Sequence, residues 1–384
     1  MTTKKWIPVL FLLFSCFVTV AQKNTVTIST AELEKIIDKA AKQSAKQAIN
    51  DVLKQQQKTK KSSANITKDL PSQANATKTL RIGSGSIGGN YFVLGELVGG
   101  VVSHPIGSLP CGSGGSCGVP SLQSQNVTSA GSVANLNALQ QGSIHTGFVQ
   151  SDIAYSAYTG SGLYANEKKI GNLRAIASLY PEAIHIIIRK DASVLNIAEL
   201  VGKRVSLGAK NSGTLQGAKL VLEAYDISED KLKAQYLNST DSIKGLLKGD
   251  LDAVFFTVGP SSPILNQLFE NSDEFTLLPI DKMQRQAIFK QGHYFSPYTI
   301  ATNTYKGVPK TDTISVYALW LTTDEADEKL VYELTKSLWG APATQLFESS
   351  LIGRYIDVEN SLKGIGIPLH SGAKKYYDEI GKRF

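Results

Sequence analysis

The chain has 384 residues, 42% of them hydrophobic, with 33 glycines and a formal net charge of +7, enough for the cores of two α/β domains plus extra segments. The positive charge sits at one end: residues 1–78 hold 13 Lys and 5 acidic residues, and the rest of the chain holds 27 basic and 28 acidic residues. A body so balanced gives no argument for nucleic-acid binding, which would need a basic face on the folded part.

Lys4 and Lys5 precede an apolar run over residues 6–20, and Thr19-Val20-Ala21 places small residues where signal peptidase reads them. This pattern predicts an export signal over residues 1–21, cleaved after Ala21. The run is shorter than the roughly 20 apolar residues of a spanning helix and contains Pro8 and Ser15. Leu13-Phe14-Ser15-Cys16 is a loose lipobox, so lipid attachment through Cys16 stands as the alternative to plain cleavage. Either way the expected location is the periplasm.

Over residues 30–57 one helix is expected. Ser29 and Glu32 form a capping box, and Leu33, Ile36, Ile37, Ala40, Ala41, Ala48, Ile49, Val52 and Leu53 recur at helical spacing. Its narrow, Ala-rich stripe could pair with a partner helix as a coiled coil, lie on the body, or remain a frayed arm. Residues 58–78, rich in Lys, Ser, Asn and Gln, read as a linker, and the folded body is expected over residues 79–384.

The body opens with Leu80-Arg81-Ile82, a buried strand that runs into Gly83-Ser84-Gly85-Ser86-Ile87-Gly88-Gly89 and then a helix from Asn90. Arg204-Val205-Ser206-Leu207 followed by Gly208-Ala209-Lys210-Asn211-Ser212-Gly213-Thr214 repeats the design. Such a turn leaves backbone N–H groups free at a helix start beside Ser and Thr hydroxyls, a setting that favours a carboxylate or phosphate. Residues 138–149 and 245–256 are also alike: each ends a helix, stops at a Gly (Gly142, Gly249) and enters an apolar strand. Two similar halves facing one cleft are therefore expected.

Cys111 and Cys117 are separated by Gly112-Ser113-Gly114-Gly115-Ser116. The flexible loop lets the two side chains meet, and an oxidising compartment favours a disulfide worth about 2 kcal/mol. Further on, residues 173–180 and 183–189 read as strands that carry the chain out of a first lobe. A short helix is expected over residues 196–203, and strands over 253–257, 275–279 and 313–322. A helix over 324–339 follows the return. The expected lobes are residues 79–180 with 302–384, and residues 181–301, joined by two crossovers acting as a hinge.

The residues 83–92, then 131–136 and 147–155, followed by Ala177-Ser178-Leu179-Tyr180-Pro181-Glu182, Gly202-Lys203-Arg204-Val205-Ser206-Leu207-Gly208, Asn211-Ser212-Gly213-Thr214 and Pro368-Leu369-His370-Ser371-Gly372-Ala373, resemble the solute-binding proteins of TRAP transporters, of the TAXI type. Their order and spacing run the length of the body. The resemblance implies a fold like the type II periplasmic binding proteins, with two α/β lobes and a ligand in the cleft. It also implies delivery of a small carboxylate, glutamate-like or a 2-oxo acid, to a TRAP membrane permease. Ile87 stands where the family commonly has Thr, inside the first cleft loop, which points to a ligand other than glutamate. Ser371 stands where Pro is common, and the Cys111–Cys117 segment is an insertion found in some members.

The expected ligand-binding residues are Ser84, Ser86, Gly88, Gly89, Tyr91, Ser132, Asn135, Gln150, Tyr180, Ser212, Gly213, Thr214 and Phe256. Neutral donors would orient an anion without the cost of burying a full cation, and the aromatic rings would wall the pocket. Ser132 has an ordinary alternative role as the cap of a helix beginning at Val133.

No enzyme is expected, and no cofactor or metal. Gly83, Gly85 and Gly88 satisfy GxGxxG, but a dinucleotide fold needs an acidic residue about 20 positions on, and no Asp or Glu occurs between Glu96 and Asp152. Gly114-Gly115-Ser116-Cys117-Gly118 satisfies GxSxG within a loop bracketed by Pro105, Pro110 and Pro120, not on a strand-to-helix turn. The five histidines show no ligand spacing. The alternative to a transport role is an exported ligand sensor or assembly module that oligomerises through residues 30–57.

Overall fold

The computed structural model describes residues 77–384. The expected export signal, Cys16, the helix over residues 30–57 and most of the linker lie outside the described residues.

Twelve strands form one continuous sheet: β1 (Lys78–Gly83), β2 (Ser103–His104), β3 (Val119–Pro120), β4 (Leu122–Val127), β5 (Thr146–Gln150), β6 (Leu173–Arg189), β7 (Arg204–Ser206), β8 (Lys233–Gln235), β9 (Ala253–Val258), β10 (Phe275–Leu277), β11 (Ser296–Ile300) and β12 (Thr311–Thr323). One stretch of the sheet runs β4-β1-β5-β12-β6, and another runs β8-β7-β9-β6-β10. In each, the first strand lies between the second and third, an antiparallel strand follows, and a fourth closes the set. The repeat expected from the glycine turns is thus a repeat of strand order. β6 and β12 each serve both halves.

The apolar side chains follow this division. One core cluster gathers residues such as Ile82, Leu94, Phe148, Tyr180, Trp320 and Tyr377. Two others cover opposite faces of the second stretch, with Ile186, Val205 and Phe255 on one and Ile187, Phe256 and Phe269 on the other. Alternation of Ile184, Ile186 and Ile188 with Ile187 across these faces is what a strand buried on both sides imposes. Tyr305, Val308, Ile314 and Val316 pack with the second half. The chain therefore rejoins the first core near Tyr317, later than the residue 302 expected from sequence.

β6 is a single strand, where two were expected. Pro181 stands within it, opposite Tyr317 of β12, while β9 begins to pair only at Ala183. A proline is tolerated where the strand has a partner on one side only. Register shifts between Ala318 and Leu319, and between Trp320 and Leu321, bend the β6–β12 pair in the first half.

The short helix expected over residues 196–203 is a 3-10 turn, Ile197–Leu200, capped by the Asn196 side chain. Cys111 and Cys117 are joined by a disulfide, their Cα atoms 4.7 Å apart. The loop they close springs from β2 and β3 at the edge of the sheet.

Candidate ligand-binding site

Five helices start around one point between the halves. They are α1 (Asn90–Val102), α2 (Ser132–Gln140), α3 (Ser151–Thr159), α4 (Gly213–Ala224) and α5 (Ser239–Lys248). Each gives its capping or first-turn residue to the wall of a cavity of about 70 Å³: Gly89, Asn90 and Tyr91; Gly131 and Ser132; Gln150; Ser212, Gly213 and Thr214; and Ser239. The cavity has room for about five waters at roughly 15 Å³ each. Each helix start carries a partial positive charge of about half an elementary unit. The wall contains no Lys, Arg or His, and its single ionisable carboxyl is Glu182.

The helices start here because their sequences stop the strands here. Ser212 caps α4, its Oγ accepting from the Leu215 amide at 3.1 Å. Gly131 precedes α2 at φ +119°, a conformation that side chains disfavour. It also lies close to the backbone of Ser212 across the cleft. Ser132 is the first residue of α2 and not its cap; its Oγ accepts from the Gln150 amide at 3.1 Å, which ties α2 to the start of α3. Thr214 Oγ1 accepts from the Thr257 amide at 3.2 Å.

The halves meet across the cavity. The Ala134 amide donates to the Asn211 carbonyl at 3.1 Å, Ser262 Oγ donates to Asn90 Oδ1 at 3.0 Å, and Thr240 Oγ1 reaches the Ile87 carbonyl at 3.4 Å. The cleft is closed in this form.

Two polar atoms of the wall have no protein partner: Asn90 Nδ2 and Thr257 Oγ1, on side chains only 3% and 6% exposed. A buried donor left unpaired costs about 1–3 kcal/mol; the Thr257 hydroxyl lies against Gly217 of α4, and the Asn90 amide lies beside Gly259. Glu182, 2% exposed, accepts from the Tyr91 hydroxyl at 2.8 Å. Burial pushes its carboxyl up to about 8; the hydrogen bonds from Tyr91 and the Gln150 side chain oppose that, and the neighbouring Asp152 adds to it. Burial also raises Asp152 itself, to about 6. Tyr91 and Tyr180 are held well above the usual phenol range by burial and by Glu182.

Of the residues expected from sequence, Ser86, Gly89, Tyr91, Ser132, Gln150, Ser212, Gly213 and Thr214 line the cavity. Phe256 walls an adjoining void of about 50 Å³ shared with Ser86, Ser212 and Thr214. Four stand elsewhere. Ser84 is fully buried and its Oγ donates to the Val127 carbonyl at 3.1 Å. Asn135 spends its Nδ2 on the carbonyls of Gly83, Ser84 and Phe148. Both residues brace the strand ends. Gly88 makes the turn at φ +89° and abuts Thr240 of the other half. Tyr180 lies in the first core, its ring against Gly259. Ile87 is 48% exposed on the outer rim with Thr128, Ser129 and Thr240, so its side chain faces away from the cavity.

Sequence reasoning missed Asn90, Glu182, Ser239 and Thr257. Glu182 is the only acid in the apolar run of β6, which is the signal that could have found it. Thr257 near the end of β9 matches Gln150 at the end of β5, since both strands stand third in their halves.

Two α/β halves closing over a polar, amide-rimmed cavity define a two-lobed binding protein of the periplasmic type. A model of the NMT1-like family matches residues 82–381, and the chain belongs to that family, within the periplasmic substrate-binding protein superfamily. It is a solute-binding protein. Among solved structures it is similar to PhnD1 from Prochlorococcus marinus in complex with methylphosphonate, at 12% identity over 80% of this chain and 100% of that chain, with a TM-score of 0.46. It is also similar to the periplasmic aliphatic sulphonate binding protein SsuA from Escherichia coli, at 14% identity over 78% of each chain, with a TM-score of 0.39. These likenesses are of fold alone.

Proposed function

We propose that the protein captures a small carboxylate in the periplasm and delivers it to a TRAP-type permease, without catalysis. The observation that carries the anion reading is the convergence of five helix starts, with Ser86, Ser132, Ser212, Thr214 and Ser239 beside them, on one cavity. Backbone amides and hydroxyls bind the anionic group, and the remaining polar atoms orient the rest of the molecule. Lobe closure around the guest makes the surface that a permease reads. The transporter class is supported by the TAXI-type words along the body. The free volume favours a compact guest of about five to ten heavy atoms.

Thermal shift against monocarboxylates, dicarboxylates, amino acids and 2-oxo acids tests the reading. A guest present at 100 times its Kd adds about 2.7 kcal/mol of stability. Small-angle scattering of the same samples should show compaction when the guest binds. A panel with no stabilising carboxylate, or tight binding with no change in dimensions, would defeat it.

A further inference from the structure

The cavity poses a charge problem. Five helix starts prepare it for an anion, yet its one carboxyl side chain is Glu182, and no basic residue of the wall offsets it. Two negative charges about 4 Å apart in a closed, water-poor space repel strongly. The groups packed around Glu182 supply no cation. α1 brings the Tyr91 hydroxyl, and α3 brings Asp152, itself an acid. β5 brings the Gln150 side chain, which also hydrogen-bonds the Glu182 carboxyl; across the cavity β9 brings Thr257 and Val258, and α4 brings Ser212, Gly213 and Thr214, none of which titrates. On β12 the residue opposite Glu182 is Val316. Along β6 itself Tyr180 is two residues away, its hydroxyl unpartnered.

We propose that Glu182 is the specificity-determining residue of the cavity: when the cleft closes over an anion, Glu182 is held as a neutral carboxylic acid and donates its proton as a hydrogen bond to the guest. The inference rests on the small-carboxylate reading above. The proton comes from solvent, one for each guest bound wherever Glu182 is ionised in the open cleft. No covalent bond changes. The carboxyl takes the place that an arginine fills in many anion sites, and it rejects guests that need a fixed negative partner. Burial in the closed form, which raises the carboxyl to about 8, acts in the same direction.

The sign of the linkage follows. A group that gains a proton on binding makes affinity fall as pH rises between its open-form and closed-form values. Glutamate and 2-oxoglutarate serve as probes, since they differ only at the second carbon. For whichever binds, the wild type should lose at least about tenfold in affinity between about pH 5.5 and about pH 8.5. Glu182→Gln, a permanently neutral mimic, should bind within a few fold of the wild type at the lower pH and show a flat profile. Calorimetry of the wild type in two buffers of different ionisation heat reads the same proton without any variant.

Binding with no proton uptake, or affinity that rises with pH, would overturn the inference while leaving the anion reading intact. So would a folded Glu182→Gln variant that no longer binds at any pH. Failure of both probes to bind at any pH would instead count against the small-carboxylate reading, and the inference would fall with it.

Discussion

Ser212 does two things at once. Its hydroxyl oxygen caps α4 through the Leu215 amide, and the residue lines the cavity. Ser212→Ala should cost about 1 kcal/mol in urea unfolding and also weaken the thermal shift produced by a bound carboxylate. A stability loss with unchanged ligand response would confine Ser212 to the cap. Glu182 makes a different claim on stability. Its folded value of about 8 lies above the ordinary 4.5, so between those pH values the folded chain holds a proton that the unfolded chain has released. Stability is therefore highest below about pH 4.5 as far as this group is concerned, and falls as pH rises towards 8. Glu182→Gln should flatten that slope in urea titrations, leaving the smaller part due to Asp152, whose value rises from 3.8 to about 6. At this scale the sequence was partly legible. Hydroxyls next to glycines signalled Ser86, Ser212 and Thr214, because that chemistry is local. Ser84 and Asn135 carry the same local chemistry, but strand ends consume it, and only the packing reveals this. Glu182 was hidden because its neighbours come from helices and strands far away in the chain.

At the scale of elements, glycine placement explains how the helix starts could be found. A strand that ends in Gly or Ser and resumes as a helix must leave amides free, wherever the rest of the chain goes. Gly131 is the sharpest case, with φ +119°. Gly131→Ala should destabilise the protein by about 1–3 kcal/mol, seen as a lower urea midpoint, and loosen the approach of α2 to Ser212. An unaltered midpoint would mean that the turn relaxes freely. What the sequence concealed was the continuity of β6. Pro181 lacks an amide, and the strand continues through it because its partner at that point is on one side only. Tyr305, Val308, Ile314 and Val316 likewise pack with the second half, although their stretch was expected in the first. Alternating apolar residues fix a strand but not the core that it joins, and Ile314 and Val316 pack beyond the hinge.

At the scale of the whole molecule, the repeated strand-turn-helix words made the two-lobed plan legible before any coordinates. The strand order β4-β1-β5-β12-β6 and its counterpart β8-β7-β9-β6-β10 is the physical form of that repetition. The sharing of β6 and β12 was not legible, because pairing partners are chosen by the sheet and not by the strand. That sharing bears on how the protein melts. Two bodies joined by flexible tethers would come apart one after the other on heating. Here neither half retains a full complement of strands if the other lets go, so calorimetry should record one endotherm, with equal calorimetric and van't Hoff enthalpies. Two resolved peaks would show that the halves are independent after all. For the same reason, splitting the gene between residues 180 and 181 should give two fragments that are each insoluble alone: the cut would rob both halves with one stroke.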